Sequence, residues 1–288
     1  MREIFESSEI NGMELANRLV RSATWEGMCT DDGRPTDKLI DLYKALAAGG
    51  VGLIVTGYTF VRPEGKQMPG KMGLHTDDFA PDMKRMVDAV HAMSGKLCVQ
   101  LVHAGGQTSQ KVAGRQPLAP SAVEAAQYQG VEPEAMSKQD IAGVVAAFGQ
   151  AAARAKDYGF DAVELHGAHG YLINQFLSPI TNQRDDEYGG SLDNRARFMM
   201  EVYKSVRDAV GGAFPVMIKL TGADNLEGGL VVEDAVEAAR KLDEAGIDAI
   251  EVSSGTPASG EEGPVRTKIN KPEREAYILP LARRIKAA

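Results

Sequence analysis

Residues 155–167 read AKDYGFDAVELHG, a helical run that stops at a glycine and passes straight into a stretch suited to a buried strand. The same succession recurs at residues 45–57, ALAAGGVGLIVTG, and at residues 242–255, LDEAGIDAIEVSSG. Gly49, Gly159 and Gly246 are expected to take the left-handed backbone that closes a helix before the next strand. Repetition of helix, glycine and strand favours a barrel of βα units over an open sheet.

Working outward from these three segments, six strands are expected: RLVRSAT from Arg18, VGLIVTG from Val51, KLCVQLVH from Lys96, FDAVELH from Phe160, FPVMIKL from Phe214 and IDAIEVS from Ile247. Helical spacing of apolar residues is centred near Leu42, Met86, Ala147, Val202 and Ala238, and a sixth helix is expected to begin near Pro272. Ser137 followed by Asp140 predicts a capping box at the start of the third helix. Residues 105–136 and 170–190 are longer than ordinary connections, which marks them as functional loops. The fold class is therefore α/β, a TIM (β/α)8-type barrel forming one domain over residues 1–288. Only about six units can be read, two fewer than closure needs, so a truncated chain or a covering second chain is expected.

The formal charge of −8 disfavours nucleic acid and anionic lipid as partners, while leaving room for a phosphorylated small ligand held locally. The sequence contains no run of about 18 apolar residues, so no membrane span is expected. Cys29 and Cys98 lack the paired spacing of metal or iron–sulfur sites, which fits a reducing, cytoplasmic setting.

Strand parity nominates the chemistry. In a parallel barrel alternate residues point inward, and the site lies at the C-terminal ends of the strands. With Val163 and Leu165 facing the helices, Glu164 and His166 turn inward; the same rule turns in Glu251 with Ser253, Cys98 with Gln100, and Met217 with Lys219. His166 and His169, in HGAHGYLINQFLSP (residues 166–179), can offer N–H donors to a carbonyl oxygen, and the Tyr171 phenol can deliver a proton. Other readings remain: the histidines as metal ligands, Lys219 as the Schiff-base nucleophile of a lyase or aldolase, or a non-catalytic barrel fragment.

The whole stretch from His166 to Phe198, HGAHGYLINQFLSPITNQRDDEYGGSLDNRARF, resembles the long signature of the old yellow enzyme family of FMN-dependent reductases. NRLVRSAT (residues 17–24), VGLIVTGYTFV (51–61) and VQLVHAGGQ (99–107) fall in that family's order, so the resemblance runs from about Phe5 to the end. It implies FMN as cofactor and NAD(P)H as reductant, with an enone or quinone as small-molecule partner and a homo-oligomer left open. Ser22, Ala23, Thr24 and Trp25 would lie along the flavin ring, Tyr58 would approach it through its main chain, and Gln100 and Lys219 would face its pyrimidine edge. His166 and His169 would bind the substrate carbonyl and Tyr171 would be the proton donor, in a ping-pong cycle of two hydride transfers. Trp25 departs from the residues common at its position, which leaves the flavin potential unassigned, and Gly27 and Gly106 depart at theirs, which leaves substrate preference unassigned. The family's last two strands carry its phosphate-binding turns, and these are not among the units read here.

Overall fold

The computed structural model describes residues 3–128 and 130–288. Its frame is a curled parallel sheet of six principal strands: β1 (Val20–Arg21), β2 (Leu53–Val55), β3 (Leu97–Val102), β4 (Ala162–Gly167), β5 (Val216–Thr221) and β6 (Ala249–Ser253). Each hydrogen-bonds to its sequence neighbour, in the order β6-β5-β4-β3-β2-β1. Helices α1 (Asp37–Ala48), α2 (Ala80–His91), α3 (Lys138–Asp157), α4 (Leu192–Val210), α5 (Val232–Glu244) and α6 (Leu279–Lys286) follow the strands one by one. This is the βα succession that the glycine-punctuated segments predict. All six expected strands form, although β1 keeps regular pairing over two residues only.

Two expectations need correcting. Gly49 is right-handed at φ −73°, and its neighbour Gly50 takes the left-handed turn at φ 83°. With two consecutive glycines the helix continues one residue further, while Gly159 (φ 90°) and Gly246 (φ 87°) behave as expected. The last helix begins at Leu279, not near Pro272, because Pro272–Arg274 close only a single 3-10 turn before the chain straightens again. The Ser137 capping box is present with both of its hydrogen bonds.

The main core lies between the outer face of the sheet and the helices. Val163, Leu165, Ile218 and Leu220 point outward into it, and α3 packs along α4 over Phe148, Phe198 and Val202. Fully burying an aliphatic or aromatic side chain of this kind contributes roughly 1.5–3 kcal/mol. Inside the sheet, at the N-terminal end of the strands, a second cluster joins Cys98, Ala162 and Met217 to Met13 and Leu15. The latter two come from an antiparallel hairpin (Ser8–Ile10 paired with Met13–Leu15) that the strand pattern does not foresee. The hairpin thus floors the barrel. No helix among the described residues is long and apolar enough to cross a membrane.

β2 is interrupted after Val55 and resumes at Thr59–Phe60, which pairs with the upper half of β3. The break turns Tyr58 inward. Gly57 is required there, since a Cβ at that position would lie 2.6 Å from the Thr24 carbonyl oxygen. The segment after β1 can therefore lie directly against β2.

Candidate functional site

Register decides which polar side chains meet. Gln100 on β3 stands opposite Glu164 on β4, and one row higher His166 on β4 stands opposite Lys219 on β5, which stands opposite Glu251 on β6. Because neighbouring residues in register share a face, the inward row reads His166, Lys219, Glu251 across three strands. Lys219 Nζ lies 3.2 Å from Glu251 Oε1 and donates to Ser22 Oγ at 2.9 Å, while Ser22 Oγ donates to Glu251 Oε1 at 2.7 Å. The residue after β1 is thereby tied to the far side of the sheet.

Beneath this row Glu164 is fully buried, and its Oε1 accepts from Gln100 Nε2 at 2.8 Å. Burial raises the Glu164 pKa, and the neighbouring Glu251 carboxylate raises it further. Glu164 Oε2 and Glu251 Oε2 have no other hydrogen-bond partner, so a proton on Glu164 is the natural bridge between two carboxyl groups that cannot both be charged so close together.

The histidine pair is positioned by the loop after β4. His169 sits in the left-handed region at φ 60° and Gly170 follows at φ 74°, two successive turns that fold the His169 ring back toward His166. A left-handed non-glycine residue costs about 1 kcal/mol or more. Here Gln107 Nε2 donates to the His169 carbonyl at 2.8 Å, and the Gly170 N–H donates to Asn174 Oδ1 at 2.6 Å, which hold the conformation. The His166 ring lies 4.9 Å from His169 and 4.8 Å from Tyr171, edge to face in both cases. Tyr171 is the N-cap of the short helix Leu172–Leu177, and its hydroxyl donates to Gln67 Oε1 at 2.9 Å.

Burial, with the Lys219 charge adding to it, pushes His169 down to about 3. It holds His166 well below the ordinary histidine range as well, where His169, Lys219 and Lys71 all add to the effect. Both rings are therefore neutral. His166 Nδ1 accepts from the Ala168 N–H at 3.3 Å, which leaves the ring proton on Nε2 as a donor. His169 Nε2 is held by Ser253 Oγ at 2.7 Å. Burial raises the Tyr171 phenol, so it keeps its proton.

These groups open on one cavity of about 470 Å³ at the C-terminal end of the strands. All ten residues nominated from the sequence line it: Ser22, Ala23, Thr24, Trp25, Tyr58, Gln100, His166, His169, Tyr171 and Lys219. Glu251 and Ser253, inward by parity, line it too. A larger groove of about 700 Å³ lies elsewhere, along the outer edge of β6 between α5 and α6, and contains none of the nominated residues. Sequence reasoning missed Lys71, which enters the cavity from an aperiodic loop that offers no pattern to read. It also missed the cover formed by Pro264, Val265, Tyr277 and Ile278, where the last expected helix fails to start.

The chain from residue 3 to residue 275 matches the NADH:flavin oxidoreductase / NADH oxidase family. The chain belongs to that family. FMN is the family's cofactor, with NAD(P)H as reductant. Among curated relatives, the NADH oxidase of Thermoanaerobacter brockii is 37% identical over 254 residues, covering 88% of this chain and 39% of that protein. The NADPH dehydrogenase of Halalkalibacterium halodurans is 38% identical over 260 residues, covering 88% of this chain and 73% of that protein. This chain therefore spans under half the length of some relatives and about three quarters of others. Among solved structures, a complex of 2-naphthoyl-CoA reductase with 2-naphthoyl-CoA aligns with a TM-score of 0.92 at 29% identity, covering 99% of this chain and 44% of that one. An old yellow enzyme homologue from Zymomonas mobilis aligns at 0.80 with 28% identity, covering 88% of this chain and 74% of that one.

The residues present fit the ring system of FMN. The cavity offers a cation at Lys219 and an amide at Gln100 with its oxygen still free. A flat heterocycle that carries both donors and acceptors along one edge matches that mixture.

Proposed function

We propose that this chain forms the flavin-binding and substrate-binding part of an oxidoreductase that passes hydride from NAD(P)H, by way of FMN, to an activated alkene or quinone. The observation that supports this best is the pair of buried neutral histidines beside a protonated tyrosine on one wall of the cavity. Neutral imidazoles are donors that withdraw electron density from a carbonyl oxygen without protonating it, and so make its conjugated double bond electrophilic.

Bound FMN supplies a two-electron carrier that accepts hydride and returns it. The chain's own residues do the rest. Gln100 and Lys219 would hold the ring edge where charge grows on reduction, and Glu251 with Ser22 fixes where the Lys219 cation sits. His166 holds the substrate carbonyl through Nε2–H, His169 is steered by Ser253, and Tyr171 gives its proton to the carbon next to the carbonyl. Gln67 holds the Tyr171 hydroxyl in place in the meantime. The Schiff-base alternative is disfavoured, since Lys219 Nζ is engaged by both Glu251 and Ser22 and is not presented as a free amine.

The test is a pair of anaerobic half-reactions on the full-length protein, followed by flavin absorbance. Tyr171→Phe is expected to slow reoxidation by enones about 100-fold or more, the usual range for loss of a general acid. Reoxidation by quinones, which draw protons from water, should change far less. His169→Ala is expected to weaken enone binding while sparing reduction by NAD(P)H. Equal loss with both acceptors, or in both half-reactions, refutes the assigned roles.

A further inference from the structure

Lys71 is the one cavity-lining cation that the roles above leave unused. It is 4% exposed, immediately precedes the short strand Met72–Gly73, and directs Nζ between two aromatic faces, 4.8 Å from the Trp25 ring centroid and 4.7 Å from that of Tyr58. Among the described residues it has no hydrogen-bond acceptor and no carboxylate within 4.0 Å. The nearby Glu26 is taken by Arg21 at 3.3 Å. Burial lowers the Lys71 pKa to about 8, with Glu26 acting in the opposite direction, so the ammonium persists at neutral pH. Two ring faces attract its charge but accept none of its three N–H donors in a normal hydrogen bond.

A desolvated ammonium without an acceptor is costly, and apolar residues avoid that cost altogether. The cation also acts on the histidine pair, since its field contributes to keeping His166 neutral. It therefore stands beside the carbonyl-binding wall and points into the same space.

We propose that Lys71 receives an anionic group of the substrate, so that the site takes an α,β-unsaturated carbonyl compound that also carries a carboxylate. The carbonyl oxygen lies at His166 and His169, and the carboxylate meets Lys71 Nζ from the cavity side. This rests on the flavin-reductase reading, from which the following test separates it.

The flavin-loaded, full-length protein is titrated with trans-4-oxo-2-pentenoate and with its methyl ester, with binding read from the flavin absorbance and by calorimetry. The two probes share the reacting enone and differ in charge. The acid is expected to bind at least ten times more tightly than the ester. Lys71→Met should weaken acid binding by about 10- to 100-fold, the range for loss of a charge-assisted hydrogen bond. The ester should move by less than about threefold, the same scale applied to a neutral contact. Lys71→Arg, which keeps the charge, should retain most of the acid's advantage and shows that the position tolerates substitution. Equal weakening of both probes in Lys71→Met, or a parent protein that binds the ester and rejects the acid, overturns the proposal alone. A parent protein that binds neither probe overturns the reductase reading with it.

Discussion

Replacing Glu164 by glutamine tests the buried carboxyl pair directly. In the parent protein Glu164 is fully buried with its pKa raised, so the native state holds a proton that the unfolded chain releases above the ordinary glutamate range. For such a group stability is present at low pH and falls as pH rises from the unfolded pKa toward the folded one. The slope is at most about 1.4 kcal/mol per pH unit for one proton. Glutamine removes the titration and keeps the geometry: its oxygen accepts from Gln100 as before, and its amide can donate to Glu251 Oε2 in place of the Glu164 proton. Near pH 5 the two proteins should therefore be of similar stability. Above that the variant should gain by up to about 1.4 kcal/mol per unit, or about 2–3 °C in Tm for a chain of this size, until native Glu164 itself ionises. His166 and His169, held neutral, act in the opposite sense below pH 6.5, but they are common to both proteins and cancel in the difference. Denaturant unfolding at each pH from 5 to 9, for both proteins, gives the comparison. Parallel profiles, or a variant that loses ground as pH rises, would refute the shared-proton reasoning.

Lys219→Met leaves Glu251 without its counter-ion and takes the cation from the floor of the cavity. The two-electron potential of bound FMN should fall by about 30–60 mV, equivalent to a loss of about 1.4–2.8 kcal/mol, and spectroelectrochemical titration reads it. An unchanged potential would place Lys219 away from the flavin. Gly105→Ala introduces a Cβ 2.1 Å from Gln175 Oε1 at a left-handed φ of 61°. A loss of about 2 kcal/mol or more is expected in thermal unfolding, because Gln175 also bonds the Ala104 and Gly170 carbonyls that brace the loop before Tyr171.

Much of this site is legible in the sequence because a strand's period of two has no slack. Once Val163 and Leu165 are assigned to the helix side, Glu164 and His166 must face inward, and Gln100, Lys219 and Glu251 follow by the same rule. What parity cannot supply is register. That Lys219 falls opposite Glu251, and that Ser22 bridges them, depends on how the strands slide against one another, which is settled by packing across the sheet. Loops are harder still. Lys71 lies in a segment without periodicity, and its placement depends on contacts such as that of the Thr108 hydroxyl with the Lys66 carbonyl, 42 residues away in sequence. The misplaced start of the last helix has a local cause. Proline suits the first turn of a helix, so Pro272 looks like a start, yet the turn it opens ends in extended backbone at Glu275.

The N-terminal hairpin that packs Met13 and Leu15 beneath Cys98, Ala162 and Met217 makes the barrel a cup instead of a pipe. Approach to His166 and His169 from beneath, at the N-terminal ends of the strands, is thereby blocked. On the reductase reading, electron donor and electron acceptor then queue for one berth, and a surplus of either should obstruct the other.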